Sequence, residues 1–124
     1  MKVRFYVEIL VAVVGALLPL GCFDNMPEVD LKITNWSQEY DDSLNQFDAV
    51  DINYRIKNIG DVDIASYSIS AIVTCEDSSK HEDYDEGCEL PVNAERNDSL
   101  SVNTRGKKAV SVELIEQDLQ TAGG

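Results

Sequence analysis

The segment VDINYRIK, residues 50–57, constrains the fold more than any other part of the sequence. Alternate residues are apolar and every intervening residue is polar or charged; the apolar set is Val50, Ile52, Tyr54 and Ile56. Successive strand residues point to opposite faces, so this alternation predicts a β-strand with one buried face. The Asn-Ile-Gly-Asp sequence that follows, residues 58–61, predicts a turn.

Two more segments share this two-residue period. Alternating apolar residues at 29–33 predict a shorter first strand. Beyond the turn, a longer run begins at Val62 or Ile64 and continues on one parity through Tyr67, Ile69, Ala71, Val73 and Cys75. Because Ile64 is out of phase with Tyr67, we expect a β-bulge near Ala65–Ser66.

Near the carboxyl end, apolar residues alternate at 100–102 and again at 110–114, and the turn-forming residues 103–106 between them predict a hairpin. Residues 115–120 fit either an extension of the last strand or one helical turn. Several short strands with almost no helical periodicity predict an all-β fold, an antiparallel β-sandwich over residues 29–120 with a disordered tail at 121–124.

Three segments resemble the bacterial cell-adhesion-related domain of the CARDB type: DLKI from Asp30, VDINYRIKNIG from Val50, and SLSVNTRGKKAVSV from Ser99. The resemblance implies an immunoglobulin-like β-sandwich of the kind found in extracellular proteins. That family ends with a further hairpin, for which the ten residues after Leu114 leave little room. We therefore expect a sheet that is completed differently or one with an open edge, where a partner strand or a second copy could pair. A short, protected edge is the alternative.

The amino end has the organisation of an export signal. Lys2 and Arg4 form a positive head, and the apolar run ILVAVVGALLPL follows at residues 9–20. The run has 12 residues, whereas a membrane-spanning helix needs about 20, and it contains Pro19. Residues 1–21 are therefore predicted to be a signal peptide and not a membrane anchor.

The segment LPLGC, Leu18–Cys22, resembles the lipobox of bacterial lipoproteins, although Pro19 replaces the usual leucine. The resemblance implies cleavage before Cys22 and acylation of that cysteine, with palmitate among the acyl chains. Two or three such chains anchor a protein stably in a membrane. Residues 22–28 then form a lipidated tether. We expect an extracytoplasmic protein of the bacterial cell envelope; Phe23 after the cysteine favours the outer membrane in a Gram-negative cell.

The charge of the chain excludes several partners. Without residues 1–21, eight Lys and Arg remain against 22 Asp and Glu, a net charge of −14. Nucleic acids and anionic lipid headgroups need a positive surface, so neither is an expected partner. A solvated acidic surface that keeps the domain soluble is the simplest interpretation, and a cationic partner is the alternative.

Lipidation of Cys22 leaves Cys75 and Cys88, which we expect to form a disulfide in an oxidising compartment. Such a bond would close a loop of 14 residues and stabilise the domain by about 3 kcal/mol. A zinc site built from both cysteines and His81 is the weaker alternative, because the spacing matches no zinc motif.

The segment between these cysteines, Glu76–Glu89, is predicted to be a solvated acidic loop. Asp83, Asp85 and Glu86 could bind a divalent cation, but the glycine of the loop comes one place too early for an EF-hand, so no metal site is expected. His81 has no nucleophile motif near it, and we predict neither catalytic residues nor cofactors.

Trp36 and Tyr40 flank a polar stretch after the first strand. We expect Trp36 to be buried in the core, and exposure for contact with a sugar or a protein is the alternative. Together these features predict a non-enzymatic, lipid-anchored interaction module whose partner is another envelope or surface protein. A small-ligand or calcium-binding protein that uses residues 76–89 is the second hypothesis.

Overall fold

A computed structural model describes the backbone of residues 2–7 and 12–14 and the whole of residues 26–121. Eight strands are present in this part of the chain. Their bounds are β1 Lys2–Val7, β2 Ala12–Val14, β3 Val29–Asp41, β4 Gln46–Asn58, β5 Ile64–Cys75, β6 Lys80–Leu90, β7 Glu95–Val102 and β8 Ala109–Thr121. None of the described residues belongs to a helix long and apolar enough to cross a bilayer.

The strands form two antiparallel sheets. One has the order β3-β4-β7, with β1 and β2 along the outer edge of β3, and the other has the order β6-β5-β8. Between the sheets, β3 lies against β8 and β6 lies against β7. The protein is therefore an all-β sandwich, as the alternation predicts.

The alternation of β4 positions the core. Val50, Ile52, Tyr54 and Ile56 are almost fully buried, and the apolar residues of β5 face them from the other sheet. The bulge expected near Ala65–Ser66 is present as a break in the pairing of β5 with β8 between Ile64 and Ser66. Trp36 is also buried, which confirms its prediction as a core residue.

Three expectations about the strands are wrong. Residues 76–89 are not a loop, because β6 occupies most of them and pairs with β5. The predicted hairpin at 100–114 does not form, since β7 pairs with β4 and β8 pairs with β5 in the other sheet. Thr121, expected in the tail, is the last residue of β8.

The reason for the second error lies in the connection itself. Residues 103–108 cross from one sheet to the other, and Arg105 and Gly106 both have positive φ, at 58° and 83°. A Cβ on Gly106 would approach the Gln46 side chain at 3.0–3.4 Å, so glycine suits both the backbone and the space. A turn signal in sequence does not reveal whether the chain returns to the same sheet.

The connections between strands lie at the two ends of the sandwich. We call the end formed by residues 42–45, 76–79 and 103–108 the apical end, and the end formed by residues 26–28, 59–63 and 91–94 the basal end. The apical connections are joined by backbone bonds from Phe47 N to Gly106 O, 3.0 Å, and from Glu76 N to Lys108 O, 2.9 Å. Strands of 13 residues separate the two ends by roughly 40 Å.

Asn58 holds the basal end together. Its buried side-chain amide donates to Val62 O at 2.8 Å and to Leu90 O at 2.9 Å, and its Oδ1 accepts from Gly60 N at 2.9 Å. Its backbone N–H donates to Ala94 O at 2.9 Å. Asn58 therefore ties the 59–63 connection to the end of β6 through its side chain, and to the 91–94 connection through its backbone.

We expect Asn58→Leu to lower the free energy of unfolding by about 3 kcal/mol, because it leaves buried carbonyl groups without donors. Chemical denaturation of the purified protein measures this loss. Asn97→Ala, which removes an exposed amide from β7, is the matched control and should change stability by less than about 0.5 kcal/mol. Equal effects of the two substitutions would contradict the role assigned to Asn58.

Candidate functional site

The apical end carries a shallow cavity of about 280 Å³ between its three connections. Tyr40 and Phe47 form one wall and pack edge to face, with ring centroids 4.9 Å apart. The hydroxyl of Tyr40, near the end of β3, donates to Oδ1 of Asn45 in the 42–45 connection. Leu44, in the 42–45 turn beside these rings, is 62% exposed.

Ion pairs form the opposite wall of this cavity. Lys107 Nζ lies 2.7 Å from Asp77 Oδ2, and Lys108 Nζ lies 3.9 Å from Glu76 Oε2. The Lys107 ammonium and the Ser79 hydroxyl hold the pKa of Asp77 well below its usual range. The Asp77 carboxylate is therefore charged at neutral pH and can pair with Lys107, although solvent and salt screen an ion pair this exposed.

A buried amide beneath the cavity fixes these connections to the sandwich. Gln38 Nε2 donates to Asp48 O and to Lys107 O, both at 2.9 Å, and lies 3.1 Å from Thr104 Oγ1. Its Oε1 accepts from Ala109 N at 2.8 Å. Gln38 thus ties the 103–108 connection to β3 and β4, and it gives the apical end a rigid base.

The sequence contains a signal for Gln38, although describing the residues between Trp36 and Tyr40 only as a polar stretch overlooks it. Gln38 has the same strand parity as Trp36, so continued alternation places it on the inner face. A polar residue on that face has to find hydrogen-bond partners. Its partners at 104–109 are distant in sequence, and no local pattern identifies them.

Ser79 and His81 lie beside the cavity but do not form a catalytic pair. The Ser79 hydroxyl donates to Asp77 Oδ1 at 2.6 Å and lies 3.2 Å from His81 Nε2. Serine therefore stands between the acid and the histidine, whereas a nucleophilic triad needs histidine in the middle to accept the serine proton. This arrangement stabilises the 76–79 turn and does not activate Ser79.

Asp83, Asp85 and Glu86, which were considered for cation binding, all belong to β6 and do not converge on one point. Successive strand residues alternate, so Asp85 and Glu86 lie on opposite faces of this strand. Asp85 Oδ2 accepts a hydrogen bond of 2.6 Å from the buried Tyr54 hydroxyl, which joins the two sheets. Burial and this acceptor raise the pKa of Tyr54. Among residues 26–121, no group of three or more potential ligands is arranged to hold a metal ion.

The predicted Cys75–Cys88 disulfide is contradicted by the register of β5 and β6. Both cysteines are free thiols, Cys75 buried at the end of β5 and Cys88 exposed on β6. Cys88 pairs with Ser66, nine positions before Cys75, which corresponds to roughly 30 Å along the strand. The disulfide prediction assumed that residues 76–89 form a loop. They instead form most of an extended strand, which carries Cys88 away from Cys75. A zinc site that uses both sulfurs is excluded by the same separation.

Arg96 of β7 links its own strand to β6 and β5 through hydrogen bonds. Its guanidinium donates to Cys88 O at 2.8 Å, to Glu89 O at 3.0 Å and to the Tyr67 hydroxyl at 3.2 Å. Gly87 makes room for Tyr67, since a Cβ there would collide with the tyrosine ring.

The amino-terminal predictions concern a region that the structure describes only in part. Lys2–Val7 and Ala12–Val14 are strands paired with β3, whereas Cys22 and residues 23–25 of the tether lie outside the described residues. Cleavage and lipidation remain predictions. Residues 26–28 reach the basal end, where Ile59 N donates to Glu28 O at 3.0 Å.

Comparisons with known proteins identify no relative of this chain. No protein-family model matches it, and no curated protein or solved structure does so either. The architecture and the local chemistry therefore carry the functional argument.

We expect the two remaining cysteines to differ sharply in reactivity. In the Cys22→Ser variant, a thiol reagent should modify Cys88 in the native protein and Cys75 only after unfolding, because burial raises the pKa of the Cys75 thiol and blocks access to it. Mass spectrometry of peptides after labelling measures both. A product lacking two hydrogens and unreactive even in denaturant would contradict the free-thiol state.

Proposed function

We propose that this chain is a non-enzymatic interaction module, exported from a bacterial cell and held on the envelope by lipid on Cys22. One observation supports the proposal: residues 26–28, the first described residues after Cys22, lie at the basal end, opposite the apical cavity. Only three residues lie between Cys22 and Met26 at the basal end, so the two are at most about 14 Å apart. The basal end is thereby kept near the bilayer and the apical end about 40 Å further away.

The chemistry of the apical end supports protein contact there. An exposed leucine, two aromatic rings and paired charges are the features that protein interfaces combine, with apolar anchors inside a polar rim. The Gln38 network supports a preorganised surface, because fixed connections lose little conformational entropy on binding. The partner is another protein of the envelope or cell surface. The CARDB-like, immunoglobulin-like assignment belongs to the same proposal and rests on the sequence resemblance alone.

Replacing Cys22 with serine should release the protein from membranes without unfolding it, since the 12-residue apolar run is too short to anchor it. Membrane fractionation and the thermal unfolding of the released protein measure both effects. A Cys22→Ser protein that stays in the membrane fraction would contradict lipid anchoring.

A photo-crosslinking amino acid at position 44 should give discrete adducts with one envelope protein in intact cells. The matched control places it at Val92, an exposed apolar residue of the basal end that is 37% exposed. Gel shifts and mass spectrometry identify the adducts. Equal adducts from both positions, or none from position 44, would overturn the apical surface as the contact site.

A further inference from the structure

We infer that removal of residues 1–21 opens the outer edge of β3, and that this edge then accepts an antiparallel strand with basic residues at alternate positions. The inference rests on the proposed export and cleavage, and it concerns a surface separate from the apical end.

The first observation is the pairing in the uncleaved chain. Six residues of β1 pair with β3 from Trp36 to Asp41, and three residues of β2 pair with it from Asp30 to Lys32. The outer edge of β3 therefore has backbone groups positioned to receive a strand over most of its length. Both β1 and β2 lie within the segment that cleavage before Cys22 would remove.

The second observation is that residues 26–121 contain a core drawn from both sheets. Among these residues, the buried cluster runs from Val29 to Leu114. Loss of residues 1–21 would remove strand pairing at one edge without removing any of these core residues. The mature domain keeps its fold and gains an unpaired edge.

The third observation is that the inward side chains of β3 lack the charges found on the edge strand β6. The inward positions of β6 include Asp83 and Asp85, and charges directed inward discourage pairing with another chain. The inward side chains of β3, by contrast, are buried and uncharged; they are Val29, Leu31, Ile33, Trp36 and Gln38.

The register specifies the chemistry of the occupant. Lys2 lies opposite Asp41 and Arg4 lies opposite Glu39, so a basic residue faces an acidic one at two alternate positions. Opposite charges at paired positions stabilise antiparallel strands. A second copy of β3 would instead bring an acidic edge against another on a chain with a mature net charge of −14. These charges favour a partner strand of the basic, alternating type.

The test uses mature protein purified from membranes in detergent, the uncleaved chain, and a synthetic peptide of residues 2–14. We expect saturable binding of the peptide to the mature protein only, because the uncleaved chain fills the edge itself. Amide hydrogen exchange should slow at alternate residues of β3 when the peptide is added and remain unchanged in β6. A peptide with Lys2→Glu and Arg4→Glu should bind about tenfold more weakly.

Each other outcome has a distinct meaning. Cleaved protein that neither binds the peptide nor gains protection in β3 overturns this inference and leaves the proposed function standing. Protection of β3 without peptide, together with a dimer by sedimentation, overturns it in favour of a second copy. An intact mass that retains residues 1–21 in the membrane-derived protein contradicts the proposed export and, with it, the opening of the edge.

Discussion

The packing of β4 against β5 is the interaction on which the rest of the structure depends. Both are central strands of their sheets, and each presents an unbroken row of apolar side chains to the other. A strand with a two-residue period cannot shift by one position without exposing its whole apolar row. The registers of the outer strands are fixed by this pair, and so are the positions of the connections at the apical and basal ends.

Buried polar groups fasten each end of that core. Asn58 serves the basal connections and Gln38 serves the apical ones, and both side chains use donors and acceptors together. Amides suit this task because they offer both kinds of group and carry no charge, which would be costly to bury. Both ends of the sandwich are thus tied to its core by buried hydrogen bonds, without a covalent cross-link between Cys75 and Cys88.

Local periodicity predicted the sandwich well and its connections poorly. The alternation of 50–57 identified β4 and its buried face, and the phase change after Ile64 identified the bulge in β5. The acidic composition of 80–90 concealed β6, because an edge strand can be polar on both faces and then loses the apolar alternation that marks a strand. The prediction of a Cys75–Cys88 disulfide was wrong for the same reason, because it required a loop between the two cysteines. The apical cavity combines three connections distant in sequence, and only pairing between sheets brings them together.

If the proposed export takes place, the pairing of β1 and β2 with β3 competes with it. The residues proposed to be delivered to the membrane are the same ones that pair with the sheet of their own chain. Sandwiches join strands that are far apart in sequence, and such topologies form slowly, in milliseconds to seconds. In the proposed exported protein, that delay gives the translocation machinery time to engage the amino end before β3 is complete. A change that accelerates folding of this domain would therefore lower the yield of secreted protein even if it raised stability.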